Sequence, residues 1–217
     1  MVQKITDIET LGKLKIAFNK IFKSTNPFGQ IFHDSIKEKM LIYNTDYSMI
    51  VNYGEKGKKE LNLIEVFSKI LQKKKGETVF LSMTETINLK NLTNSNHWII
   101  TLNTDPYNEL NKFHEYVPFA EQAIYSSTGE WGMIVSHEDF LLLGGEENII
   151  DQVSKDLMKL NYYEEKQLEL FLSEWKEYYK NGNLDISWIP ILLMNIYGEK
   201  KTNELLRKNS MIGLIEI

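Results

Sequence analysis

Residues 123–145 read AIYSSTGEWGMIVSHEDFLLLGG. Three apolar runs, Ala123–Tyr125, Trp131–Val135 and Phe140–Leu143, are separated by Ser127–Gly129 and by His137–Asp139. Short apolar runs bounded by Ser, Gly and Asp form strands joined by tight turns. The stretch therefore predicts a three-stranded antiparallel meander. Gly144-Gly145 then releases the chain into a helix.

Upstream, Thr78–Met83 and Trp98–Leu102 read as further strands, with a polar loop over 84–96. Tyr47, Met49, Val51 and Tyr53 alternate with Ser48, Ile50 and Asn52, which predicts another strand. Leu41–Tyr43 is its expected hairpin partner, and Gly54–Gly57 the following turn. Thr6-x-x-Glu9 has capping-box spacing. Leu11, Leu14, Phe18, Ile21 and Phe22 follow at helical steps, so a first helix is expected there. Asn62-x-x-Glu65 predicts a second helix through Leu63, Phe67, Ile70 and Leu71. Asp105-Pro106 predicts a short third one, with Asp as cap and Pro in the first turn.

Downstream of Glu146 the chain reads as helical. Ile149, Val153 and Leu157 recur at steps of four, and Leu168, Phe171, Leu172, Trp175, Tyr178 and Tyr179 mark an amphipathic helix. Asn181-Gly182-Asn183 ends it. Ser187 caps a further helix with Pro190 in its first turn, and Gly198 separates that from a last one. Met211–Ile217 reads as a closing strand. The order predicts an α+β fold: an antiparallel sheet with a C-terminal meander, covered on one face by helices, and a helical C-terminal region. Residues 1–217 are expected to form one domain, with 146–210 as an alternative helical subdomain.

Composition narrows the chemistry. Apolar residues make up 42% and charged residues 25% of 217, as in a soluble globular protein. There is no cysteine, which removes disulfides, thiolate metal sites and a cysteine nucleophile. The opening MVQKITDIETLGKLKIAF is interrupted by acids and lysines and does not read as a signal peptide. The apolar run Ile186–Ile196 is too short to cross a bilayer, which needs about 20 residues. A cytoplasmic location is expected. The 24 Lys against one Arg, with 19 Asn, point to an AT-rich bacterial or phage genome. So little Arg disfavours nucleic-acid reading, where its planar fork is used.

Charge is divided unevenly. Residues 1–90 hold 15 Lys against 10 Asp and Glu, a net of +5. Residues 91–217 hold 10 Lys and Arg against 20 Asp and Glu, a net of −10. A surface with a sign steers a partner of the opposite sign.

Candidate chemistry is sparse. His137-Glu138-Asp139 is the densest titratable cluster, read either as a metal or acid–base site or as a solvated hairpin tip. Gly144-Gly145 before a helix resembles an anion site, but Glu146 and Glu147 follow and would repel phosphate. His33, His97 and His114 show no zinc spacing, and no nucleophile elbow occurs. No catalytic residue, metal or cofactor is assigned. Lys56, Lys58, Lys59 and Lys73–Lys75 read as solvated charge. Tyr162, Tyr163, Trp175, Tyr178 and Tyr179, interleaved with Glu164, Glu165, Glu169, Glu174 and Glu177, read mainly as core, with some as interface anchors.

The pattern Trp131-Gly132, Glu138 and Leu143-Gly144-Gly145 is similar to short motifs of small bacterial immunity proteins, which neutralise toxins in the cytoplasm. The likeness is confined to this stretch and transfers no catalytic residue. It implies stoichiometric inhibition of a cognate toxin by charge-steered docking. The leading expectation is a binding protein whose acidic C-terminal face meets a basic protein partner, without membrane or nucleic acid. Its binding residues would be Trp131, His137, Glu138, Asp139, Glu165, Glu169, Trp175 and Glu177. One alternative is an enzyme using Glu121, Glu130, His137 and Glu138. Another is a self-associating phage or mobile-element accessory protein.

Overall fold

The computed structural model describes residues 2–42, 48–52, 58–62, 77–84, 96–101, 121–182 and 184–212. Nine strands and four helices lie within them. The meander forms as its sequence predicts: β7 (Gln122–Ser126), β8 (Trp131–Val135) and β9 (Phe140–Gly145) pair antiparallel in order. The turn between β7 and β8 places Gly129 at φ 75°, a backbone conformation that glycine adopts without steric cost.

The meander is the middle of a seven-stranded antiparallel sheet. With β1 (Val2–Lys4), β2 (Lys37–Ile42), β5 (Thr78–Met83) and β6 (His97–Thr101), the order is β1-β6-β5-β7-β8-β9-β2. The first two strands of the chain therefore lie on opposite edges. Helix α1 (Ile8–Ile21) connects them by crossing the sheet face. It is about 21 Å long at 1.5 Å per residue, and it lays Leu11, Leu14, Ala17, Phe18 and Ile21 onto the sheet.

Several local expectations are corrected. Asp7, not Thr6, caps α1, its carboxylate accepting the Thr10 amide at 2.8 Å. Strand β2 pairs with β9, Lys37 opposite Gly145, and not with the Tyr47–Tyr53 strand. That strand, β3 (Ser48–Asn52), pairs with β4 (Lys58–Asn62) in a separate two-stranded sheet. Asn62 is the last residue of β4, in the extended conformation that a helix cap also has. The rest of the helix predicted from Asn62, the Gly54–Gly57 turn, most of the 84–96 loop, the Asp105 helix and all but the start of the closing strand lie outside the described residues.

The sheet is covered on both faces, not on one. Along a strand alternate side chains point to opposite faces. Phe80, Ala123, Tyr125, Ile134, Phe140 and Leu142 join α1 in one core, together with α3 (Glu164–Gly182) and α4 (Trp188–Lys208). Val79, Leu81, Ile124, Met133, Leu141 and Leu143 face α2 (Glu147–Lys159) in the other. This explains the uninterrupted apolar runs of β8 and β9, since strands buried on both sides lack a polar face. Gly198 breaks α4 at φ 75°, ψ 166°, where the sequence predicts two helices.

Two glycines of the meander are explained by aromatic packing. Gly132 and Gly144 are cross-strand neighbours in one row, with Tyr125 beside Gly132. A β-carbon on Gly132 would lie 2.6 Å from Phe22 Cζ, and one on Gly144 would run into the Phe32 ring. The Phe22 and Phe32 rings lie 5.5 Å apart, and Phe22 meets Tyr125 edge-on at 5.7 Å. Glycine here makes room for rings.

Among the described residues no helix is long and apolar enough to cross a membrane.

Candidate functional site

Of the acidic and imidazole side chains singled out near the meander, Glu121, His137, Glu138 and Asp139 meet at one end of the sheet, whereas Glu130 precedes β8 in the β7–β8 turn at the opposite end and does not join them. Glu121 precedes β7, and Ser136–Asp139 form the β8–β9 turn. Because β7 and β8 pair with Gln122 opposite Val135, the next step sets Glu121 beside Ser136. The Ser136 hydroxyl donates to Glu121 Oε1 at 3.2 Å. His137 stands above this pair. Its Nδ1 lies 3.3 Å from Glu121 Oε1 and its Nε2 3.2 Å from Glu138 Oε1. The imidazole side chain is 53% exposed, whereas that of Glu121 is 11% exposed. Each contact becomes an ion pair when the ring is protonated.

Asp139 completes the turn in a left-handed conformation, φ 59°. Asp tolerates this region better than most residues because its short side chain bonds locally. Burial pushes its carboxyl up to about 6; Glu174 of α3 and Glu138 push the same way, and His137 opposes them. Thus Glu121, Glu138, Asp139 and Glu174 share one neighbourhood, although they come from three separate elements. The two carboxylates held by His137 lie at opposite ring nitrogens, so they do not converge on one point. Correspondingly, no group of three or more His, Asp or Glu among the described residues could hold a metal ion.

The remaining sequence candidates are placed differently. Trp131 is 3% exposed and sits in the α2-facing core, its Nε1 donating to Glu77 Oε1 at 3.2 Å. Trp175 is 8% exposed and packs against Phe171, Tyr178 and Trp188. Neither tryptophan is a surface anchor, because both sheet faces are roofed by helices. Tyr178, by contrast, is 49% exposed beside Trp175.

The acids of α3 are interleaved with cations. Lys201 pairs with Glu165 at 3.3 Å, Lys208 with Glu169, and Lys180 with Glu177 at 2.9 Å. Lys39 of β2 pairs with Glu164, which also accepts the Tyr197 hydroxyl at 2.6 Å. Lys37 reaches Glu147 and Asp151 of α2 at 3.2 and 2.7 Å. Lysines of the basic first half thus meet carboxylates of the acidic second half. The helical surface is mixed in sign, and the expected continuous acidic face does not extend along α3.

A buried polar chain lies apart from these candidates. Ser82 and His97 are direct partners across β5 and β6, and the Ser82 Oγ lies 2.7 Å from His97 Nδ1 and 3.0 Å from the Tyr125 hydroxyl. All three residues are fully buried. The periodicity of Thr78–Met83 could have flagged Ser82, which breaks an otherwise apolar strand.

No protein-family model, curated protein or solved structure matches the chain.

Proposed function

We propose that this chain is a binding protein that receives a basic protein partner at the acidic end of its sheet. The observation that carries the reading is the crowding of carboxylates at that turn: Asp139 is partly buried beside Glu138 and Glu174, next to the Glu121–His137–Glu138 contacts. Burial of the carboxyl and the charges of Glu174 and Glu138 together raise the proton affinity of Asp139. A cationic side chain docked at that turn would favour the ionised carboxylate and relieve the crowding of like charge.

Toxin neutralisation is the specific form that the resemblance implies. The residues bearing that resemblance are mostly core-forming: Trp131 is buried, and Gly132 and Gly144 accommodate Phe22 and Phe32. The partner's basic character is therefore proposed from the charge at the turn. The testing experiment is affinity capture from the native host with the wild-type chain and with a Glu138→Lys/Glu174→Lys variant. Support is a stoichiometric basic protein retained by the first and lost by the second. A partner that the variant holds equally well removes the site from the reading.

A second reading rests on the imidazole held between two carboxylates. Glu121 and Glu138 orient both ring nitrogens, an arrangement that can hold or pass a proton. If this is the working chemistry, His137→Gln abolishes turnover of a substrate while leaving partner capture intact.

A further inference from the structure

Ser82, His97 and Tyr125 carry directional information that the acidic turn does not use. The hydroxyl proton of Tyr125 needs an acceptor, because a buried unpaired donor is costly. Its hydrogen-bond partner among the described residues is Ser82 Oγ. Donation from Tyr125 to Ser82 and from Ser82 to His97 Nδ1 gives both hydroxyl protons an acceptor. With Nδ1 an acceptor, the neutral ring carries its proton on Nε2.

That Nε2 is buried without a hydrogen-bond partner among the described residues, and so is the hydroxyl oxygen of Thr84. The register sets the two residues at diagonal positions across β5 and β6. Thr84 follows Ser82 by two positions, and its amide donates to Glu121 O, which extends the β5–β7 ladder by one step. Thr84 and Ser82 thus share a face, and His97 stands directly opposite Ser82. His97 is fully buried and Thr84 is 4% exposed.

We propose that His97 Nε2–H and the Thr84 hydroxyl together bind one uncharged oxygen atom, either a water or the hydroxyl or carbonyl oxygen of a small neutral molecule. An N–H donor requires an acceptor, and a threonine hydroxyl complements it as donor or acceptor. Anions are disfavoured because two neutral donors do not offset the burial of a charge. Burial also holds the imidazole neutral, its titration pushed down to about 4, so it offers no cation to such a ligand.

The test is long-range proton–nitrogen NMR of the His97 ring in the full chain. The expected result is the Nε2–H tautomer at neutral pH. The Nδ1–H tautomer would overturn the proposal, and this measurement needs no variant. Thr84→Val, which keeps shape and removes the hydroxyl, should shift the His97 Nε2 resonance and speed exchange of its proton with solvent. Thr84→Ser should leave both as in the wild type. An unmoved resonance in Thr84→Val would also overturn it. Denaturation, gel filtration and refolding in buffer separate the two sources. An unchanged spectrum assigns the oxygen to water, and a changed one restored by the low-molecular-weight extract assigns it to an organic ligand. Partner capture enters none of these readouts, so this inference stands or falls apart from the binding reading.

Discussion

The ring of Phe22 occupies the space that a side chain on Gly132 would fill. This contact ties the loop after α1 to the centre of the meander, and Phe22 also bridges to Phe32 through the backbone. Gly132→Ala forces the ring or the strand to move, and overpacking of this kind costs about 1–3 kcal/mol. Urea unfolding should show the loss as a lower midpoint at unchanged slope. A variant as stable as the wild type would mean that the aromatic cluster is loosely packed.

Asp139 should impose a pH dependence on stability. Its folded-state affinity for the proton, about 6, lies above the ordinary 3.8. A raised carboxyl favours the folded state fully below the ordinary value and loses that contribution as pH rises through about 6. Between those limits stability should therefore fall with increasing pH. Asn adopts the same left-handed backbone and carries no charge, so Asp139→Asn should flatten this part of the profile. Chemical denaturation at several pH values checks it, and parallel profiles for both chains would refute it.

Association with the captured partner should depend on the end of the sheet more than on the face of α3. Glu138→Lys with Glu174→Lys should slow association at low salt, and the difference should shrink as salt screens the charges. Glu165→Lys with Glu169→Lys should have the smaller effect on the on-rate, since both positions already sit beside lysines. Stopped-flow or surface kinetics measure both. The opposite ranking would return the binding surface to the helix.

Strand β2 ends against a buried side chain. The Tyr162 hydroxyl accepts the Ile42 amide at 2.8 Å. Tyr162→Phe strands that amide in the interior, at a cost of about 1–3 kcal/mol. Equilibrium unfolding should register the loss, and the Ile42 amide should exchange faster with solvent. Unchanged protection would show that another acceptor takes over.

The legible parts of the sequence were those set by neighbours along the chain. The meander follows from three apolar runs and two turns, and Thr78–Met83 coincides with β5. The Gly198 break follows from a residue that tolerates positive φ. The strand pairing of Lys37–Ile42 was not legible. Its partner β9 lies about a hundred residues downstream, and no local rule selects it over the nearer Tyr47–Tyr53 strand. The site was legible in part. His137, Glu138 and Asp139 stand out as a cluster, with Glu121 a further acidic candidate, but Glu174 joins them only through the tertiary placement of α3.

Residue order alone determined an α+β chain with a central meander, no thiol chemistry and an excess of carboxylates in its second half. These follow from composition and from periodicities of two and 3.6, which are properties of a single element. Tertiary structure decided the rest. It closed helices over both sheet faces, and so turned Trp131 and Trp175 inward. It brought lysines alongside the acids of α2 and α3, and gathered Glu121, His137, Glu138, Asp139 and Glu174 at one end of the sheet. Such outcomes depend on which distant elements share a surface, and charge and burial at a position are sums over those neighbours.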